Sequence, residues 1–501
     1  MNGAASIPVI VGVGECLDRP QHPRDGLEPM DLMLRAARAA EDDAGAALLA
    51  QVDSLDVVNL VSWPYRDAPG LLAECLGIRP RRTVYGAIGG ESPLRFVQQA
   101  AQRIGSGQGR VALICGGEAQ HTVNRALQLG IELPWTAPAD DRALAVHGRD
   151  LVHPLAARLG CAQPLSIYPF YETASTAHWQ LPPRTAQRES GQLWSRYSLQ
   201  AANNPNAWLR EPHSAEDIVT VAPFNRMVAW PYTKLMVANP QVNQGAALLL
   251  TSLEIARNAG VPERNLVYPW GSAYAREPRD FLARDHYWES HAQNAVLKAC
   301  SELAGGGFEA MELYSCFPCV PKMARRALHL GEVYEPTVTG GLTFFGAPLN
   351  NYMTHATCAM VRHLRGSPPH ARGLLYGQGE FVTKHHGLVL ARRPYPGHPA
   401  LAHSSVQHLA DSHRGLVPQI EIEPDGTGQL EAFTLLYQRD GTLSHGVAMV
   451  RIRPGTRTLA RVAPDDAWTV AALTDPDISP VGRTGQLRPT GLGHSEWSLV
   501  I

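Results

Sequence analysis

The sequence predicts an α/β protein made of two copies of one unit, followed by a small β domain. Two stretches carry the duplication. Ser92 to Glu118, SPLRFVQQAAQRIGSGQGRVALICGGE, reads as helix, Gly-rich turn, short apolar strand and Gly-Gly-Glu. His355 to Glu380, HATCAMVRHLRGSPPHARGLLYGQGE, repeats that order and ends Gly-x-Gly-Glu. The segments before each also match: the run from Met30 and the run from His291 both read helix, turn, strand. Agreement of order and glycine placement at this separation is the mark of an internal repeat. Continuous apolar runs such as VALIC fit strands buried on both faces of a mainly parallel sheet. After Pro396 the texture changes. Gln429 to Ala460 alternates, is rich in β-branched residues and is broken at Asp440-Gly441, a strong hairpin signal.

The elements divide the 501 residues into a first half, 1–250, a second half, 251–397, and a β domain, 405–501. Within the first half, residues 120–230 are rich in Pro, His and Trp and weakly periodic, so they read as a long insertion that covers or lines a site. Its aromatics Tyr168, Phe170, Tyr171, Trp179, Trp194 and Trp230 either shape an apolar pocket or form the insertion's own small core.

Composition narrows the function classes. A net charge of -2 without a dense Lys/Arg face argues against nucleic acid. No apolar run nears the ~20 residues of a membrane span, and the N-terminus lacks a basic n-region, so a cytoplasmic protein is expected. The eight cysteines sit at unrelated spacings. Cys316 and Cys319 form a C-x-x-C with no second pair, and no metal site is expected.

Several landmarks resemble thiolases. Residues 83–119 are similar to the nucleophile segment: strand, elbow, helix ending I-x-x-G, and strand into GGxE. Residues 232–256, YTKLMVANPQVNQGAALLLTSLEIA, resemble the strand that opens the second half. MELYSCFP is similar to the HDCF loop, TGGLTFFGAPLNNY to the G-H-P loop, and LLYGQGEFVTKH to the C-x-G loop. The resemblance spans about residues 5–395, and the appended domain narrows it to the type 1 thiolase-like proteins, a group named for acetyl-CoA acetyltransferases. It implies α-β-α-β-α layers, an OB-like added domain, and a coenzyme A thioester as substrate or ligand. No covalently bound cofactor is implied, and the oligomeric state is monomer or homodimer.

The same resemblance exposes departures. The position of the acyl-accepting cysteine falls on Gly90, the G-H-P histidine on Ala347 and the acid/base cysteine of C-x-G on Tyr376. Tyr314 takes the place of the HDCF histidine. Acyl-enzyme chemistry at position 90 is thereby excluded. What the family pattern leaves is a backbone oxyanion hole from the N–H groups of Gly90 and Gln378, with Tyr314, Cys316 and Tyr376 as candidate catalytic side chains. Ser92 reads as an N-cap before Pro93, or as a nucleophile. Ser92, Gly346 and Asn350 fall in the vicinity of the CoA thioester; Asn350 and Asn351 either are turn residues only or bind the thioester or pantetheine end; and His385 and His386 alternate on a strand with one of them inward.

Three functions remain open: acyl transfer with Cys316 as substitute nucleophile, aldol or retro-aldol chemistry on a 3-hydroxyacyl-CoA using tyrosine, and acyl-CoA binding without catalysis. For the second, the resemblance extends to steroid side-chain aldolases, which replace the cysteines, place tyrosines in the cleft and work with an OB-fold partner; the fused β domain would take that partner's part.

Overall fold

The computed structural model describes residues 3–139, 148–396 and 403–500. The first half runs β1 (Pro8–Leu17), α1 (Pro29–Ala44), β2 (Ser54–Val57), α2 (Ala68–Leu76), β3 (Arg82–Tyr85), α3 (Ser92–Gly105), β4 (Val111–Ala119) and α4 (Gln120–Leu129). Next come α5 (Pro154–Arg158), α6 (Pro164–His178), α7 (Pro183–Asn203) and α8 (Ala215–Val219), the short strands β5 (Met227–Trp230) and β6 (Tyr232–Thr233), then β7 (Asn243–Ser252) and α9 (Leu253–Asn258). The second half holds β8 (Tyr268–Arg276), α10 (His291–Ala304), β9 (Ala310–Leu313), α11 (Cys319–Ala327), α12 (Tyr352–Gly366), β10 (Arg372–Gly379), β11 (Lys384–Ala391), β12 (His403–Ser405) and α13 (Gln407–His413). Last come β13 (Gln419–Ile420), β14 (Gly426–Tyr437), β15 (Leu443–Arg453), β16 (Thr456–Val462), α14 (Ala467–Leu473), β17 (Thr484–Pro489) and β18 (Ser495–Leu499).

The duplication is visible in the strand pairing. One sheet is ordered β1-β7-β4-β2-β3 and the other β12-β8-β11-β10-β9. The run β1-β7-β4-β2 pairs antiparallel, antiparallel, parallel. The run β8-β11-β10-β9 repeats that sense. Helices α3 and α12 touch each other and strands of both sheets, so they form the middle layer. That position explains why α3 buries residues on more than one face, Leu94, Phe96, Val97, Ala100, Ala101 and Ile104. An outer helix needs a single apolar stripe. In α1, packed on β1 and β7, the stripe is Met30, Met33, Ala37, Ala40 and Ala44. Pro29 starts that helix and Gly45, left-handed at φ 66°, ends it. Helix α10 covers the second sheet in the same way.

The insertion is mostly helical, and its aromatics are not a separate core. Tyr168, Phe170, Tyr171 and Trp194 belong to one apolar cluster with Leu313, Tyr352 and Tyr376 of the second half. Their polar ends bond to the loops there: Tyr168 Oη donates to Glu380 O (3.0 Å), Tyr171 Oη to Phe381 O (2.9 Å), and Tyr197 Oη to Leu313 O (2.9 Å). A buried phenol needs such a partner, and here the partners are the loops that would carry chemistry. Helix α6 is also anchored by a buried ion pair, Lys322 to Glu172, with Tyr232 Oη donating to the same carboxylate at 2.9 Å.

In the last unit Asp440-Gly441 makes the expected turn between β14 and β15, with Gly441 at φ 88°. Pairings β14–β15, β15–β16, β16–β18, β18–β17 and β17–β14 close a five-stranded ring. Strand β5 of the insertion adds to β14 from outside. Buried Arg457 on β16 docks the unit: its guanidinium donates to the carbonyls of Leu282, Arg284 and Asp285 and to Glu431. No helix among the described residues is long and apolar enough to cross a membrane.

Candidate active site

The site forms where the N-terminus of α3 meets the ends of β9 and β10. The loop Gly89-Gly90-Glu91 leads into the helix. Glu91, not Ser92, is the cap residue, and its side chain makes no capping bond. Ser92 is the first helical residue, wholly buried, and its Oγ has no partner among the described residues. The expectation of a Ser92 N-cap is therefore corrected by one residue. Pro93 favours Ser92 as the cap, but the chain turns earlier, with the Ser92 N–H donating to Gly89 O at 3.0 Å and the Leu94 N–H to Glu91 O at 3.1 Å. As a nucleophile Ser92 lacks a base within hydrogen-bond reach.

Gly90 is enclosed. A β-carbon added there would lie 2.6 Å from the Gln378 carbonyl oxygen and closer still to the Tyr314 hydroxyl. The place where a nucleophilic side chain would begin is filled by a phenol. The β10 atom nearest to that point is the Gln378 carbonyl oxygen, an acceptor.

Glu91 is the residue that sequence reasoning missed. Its carboxylate lies against Gly89 and Gly379, where added β-carbons would collide with it. Two glycines, 290 positions apart, thus make its room. The side chain is buried, and one carboxylate oxygen has no hydrogen-bond partner among the described residues. Burial pushes its pKa up, and the nearby Lys384 ammonium only partly offsets this. Lys384 itself pairs with Glu380 at 2.9 Å and donates to Ile88 O at 2.8 Å. Only Gly-Gly-Glu before a helix hinted at Glu91 in the sequence, and that pattern reads equally as a cap.

Tyr314 follows β9, held by its N–H donating to Tyr376 O at 3.2 Å. Its ring meets Tyr352 edge-on at 5.7 Å. Burial raises the phenol well above its ordinary pKa, with the Cys316 thiol and the Glu91 carboxyl acting in the same direction. Tyr314 is thus held in its neutral, protonated form. Cys316 accepts from the Gln378 side-chain amide, Nε2 to Sγ 3.2 Å, and that amide also donates to Tyr168 Oη at 2.6 Å. Burial pushes the Cys316 thiol up to about 12. Nucleophilic cysteines need the opposite shift.

Tyr376 turns to His385, Oη to Nδ1 2.7 Å. The other ring nitrogen, Nε2, is 3.0 Å from Val382 O. A carbonyl only accepts, so Nε2 carries the proton and Nδ1 accepts from Tyr376. Burial lowers His385 to about 4, so the imidazole is neutral. Behind it Ser290 donates to Glu277 at 2.7 Å. Burial works against ionisation of Glu277, but Arg284, the Ala292 N–H and Ser290 outweigh it and hold the carboxylate at about 2. His386 is buried as well, its ring stacked on Tyr274. The expectation that only one of the two histidines points inward fails because layers cover both faces of this sheet.

The Gly346–Asn351 loop completes the enclosure. Gly346 has φ 112°, and a side chain there would strike Val242 and Gln244. Ala347 N–H donates to Asn239 O at 2.8 Å. Asn350 Oδ1 accepts from Gly89 N–H at 2.9 Å, and its Nδ2 donates to Asn59 O at 3.1 Å. Asn350 therefore fixes the Gly89-Gly90 turn from the other half of the molecule. Asn351 packs against Gly116. Tyr314, Cys316, Gln378, Gly90 and Glu91 come together; Tyr376 faces the His385 network; Gly346 shapes the loop.

Residues 409–492 match the family model for the thiolase-like protein type 1 additional C-terminal domain. Over its full length the chain is also similar to a monomeric SCP2-thiolase-like protein type 1 from Mycobacterium smegmatis, at 28% identity, TM-score 0.82 and complete coverage of both chains. Over its whole length, then, the chain is similar to the type 1 thiolase-like proteins. Among lower-identity structures, the Ltp2-ChsH2(DUF35) aldolase shares the fold over 78% of this chain and 98% of its own, at 18% identity and TM-score 0.57. The dimeric peroxisomal thiolase of Saccharomyces cerevisiae does so over 78% and 98%, at 13% and 0.55. No curated protein matches. The duplicated α/β body has the thiolase fold, and strands β14 to β17 of the five-stranded ring lie in the residues that match the added domain, with β18 just after them.

Proposed function

We propose that this protein breaks or makes a carbon–carbon bond next to an acyl-CoA thioester without forming an acyl-enzyme, as an aldolase acting on a 3-hydroxyacyl-CoA. The observation that carries the reading is the Tyr314 hydroxyl standing over Gly90 beside the buried Glu91 carboxyl. In the cleavage direction a base takes the 3-hydroxyl proton, the C2–C3 bond breaks, and its electrons pass to the thioester as an enolate. An acid then returns a proton to C2, and the products are an aldehyde or ketone and a shortened acyl-CoA. Glu91, whose buried carboxyl has a raised pKa and so a greater affinity for a proton than an ordinary carboxylate, is the base. Tyr314, held protonated, is the acid. Asn350 keeps the Gly89-Gly90 turn in register. The scaffold is compatible with such chemistry, since an aldolase shares it.

Acyl transfer through Cys316 is disfavoured by a thiol pushed up to about 12. A product screen with 3-hydroxyacyl-CoAs of graded chain length tests the proposal. Carbonyl product is expected from the wild type. Tyr314→Phe and Glu91→Gln should each lower kcat by roughly 10²–10⁴-fold, the usual weight of general acid–base catalysis. Turnover unchanged in both variants would remove the mechanism.

A further inference from the structure

The segment Asp285-His286-Tyr287-Trp288-Glu289-Ser290-His291 carries two imidazoles and two carboxylates in seven residues. We propose that it is a binding site for a divalent transition-metal ion, with Asp285, His286 and His291 as ligands and Glu289 as a fourth. The ligand atoms of the first three lie within 4.8 Å of one another. Asp285 Oδ2 is 2.9 Å from His291 Nε2 and 3.7 Å from His286 Nε2, and His286 Nε2 is 3.7 Å from Glu289 Oε1. Tetrahedral zinc with bonds of about 2.0–2.1 Å sets its donors about 3.3 Å apart. The observed spacings bracket that value, so small side-chain rotations close the set.

The ligands are held from three directions. His291 is the first residue of α10, after Ser290, which caps it. Asp285 accepts the Gly415 N–H at 2.7 Å. Arg457 grips the carbonyls of Leu282, Arg284 and Asp285 from the C-terminal unit. Such support is what a metal site needs around its ligands. The cluster opens on a cavity of about 570 Å³ that His413, Asn294 and Lys298 also line, so an ion and its water can enter. Imidazole with carboxylate suits zinc, cobalt or nickel better than magnesium or calcium, which prefer all-oxygen sets. A bound ion would tie α10 to the 413–415 segment that leads into the ring, stabilising that junction.

The test is titration of the full-length, chelator-treated protein with zinc chloride by calorimetry, and with cobalt(II) by visible absorption. We expect saturable binding of one ion per chain, cobalt bands that zinc displaces, and a rise in Tm with zinc. His291→Ala should weaken binding at least tenfold. If that variant is poorly folded, His286→Ala gives the same reading without removing the Asp285–His291 hydrogen bond. No saturable binding would overturn the site. So would binding of undiminished stoichiometry in the His286→Ala/His291→Ala double variant, which would place the ion elsewhere.

Discussion

Putting a cysteine back at position 90 will not make this protein a thiolase. The simplest perturbation is Gly90→Ala. Its new β-carbon would sit 2.6 Å from the Gln378 carbonyl and closer to the Tyr314 hydroxyl, where unbonded carbon is not tolerated below about 3 Å. Tyr314 can shift, because it is a side chain. Gln378 has less freedom, because its carbonyl is backbone of β10 and the residue is paired with His385 of β11. Gly90 has no left-handed φ, so the cost is steric overpacking alone, about 1–3 kcal/mol. Urea unfolding of wild type, Gly90→Ala, Tyr314→Phe and the double variant measures it. Removing the hydroxyl should recover less than half of the loss, since the Gln378 contact and the ring carbon at 2.9 Å remain. Gly90→Cys should likewise show no acyl adduct by intact mass after incubation with acyl-CoAs. A Gly90→Ala variant within about 0.5 kcal/mol of wild type, the range of an inconsequential surface change, would refute the claim that position 90 is filled.

Three further outcomes are expected. Lys322→Met leaves the Glu172 carboxylate buried without its ammonium and should cost about 3–5 kcal/mol in urea unfolding. His385 is held neutral to about 4, against an ordinary 6.5. The folded state then binds fewer protons than the unfolded one in that window, so this contribution is complete above about pH 6.5 and is lost as pH falls toward 4. It is worth up to about 3 kcal/mol, and His385→Asn should flatten stability over that range. The Glu277 contribution lies lower, present above about 4.5 and lost as pH falls toward 2. Asn350→Ala frees the Gly89 N–H and should lower kcat more than it raises KM, because it loosens the turn beside Tyr314 without touching the pKa of His385; an unchanged kcat would remove the positioning role.

Much of the fold could be read from sequence because it depends on local patterns repeated twice. The helix from Ser92 and the strand from Val111 appear as α3 and β4, and their counterparts as α12 and β10. Asp440-Gly441 marked its hairpin because the short loop between Gln438 and Thr442 needs a left-handed residue, and Gly441 supplies it at φ 88°. The insertion was less open to reading: α6 and α7 lie against the main core, so their apolar residues are not confined to one stripe and periodicity fades. The site divides along the same line. Gly90, Tyr314 and Cys316 lie in motifs, and the structure brings them together. Glu91 owes its burial to Gly379 and its charge environment to Lys384, and Tyr376 its orientation to His385. No local pattern records such long-range placements.

The most direct measurement follows wild-type protein, Glu91→Gln and Tyr314→Phe with 3-hydroxyacyl-CoAs, reading carbonyl products and intact protein mass together. The account predicts an aldehyde or ketone with a shortened acyl-CoA, no mass added to the protein, and loss of product in both variants. An acyl adduct on Cys316, with release of free coenzyme A and no carbonyl product, would contradict it.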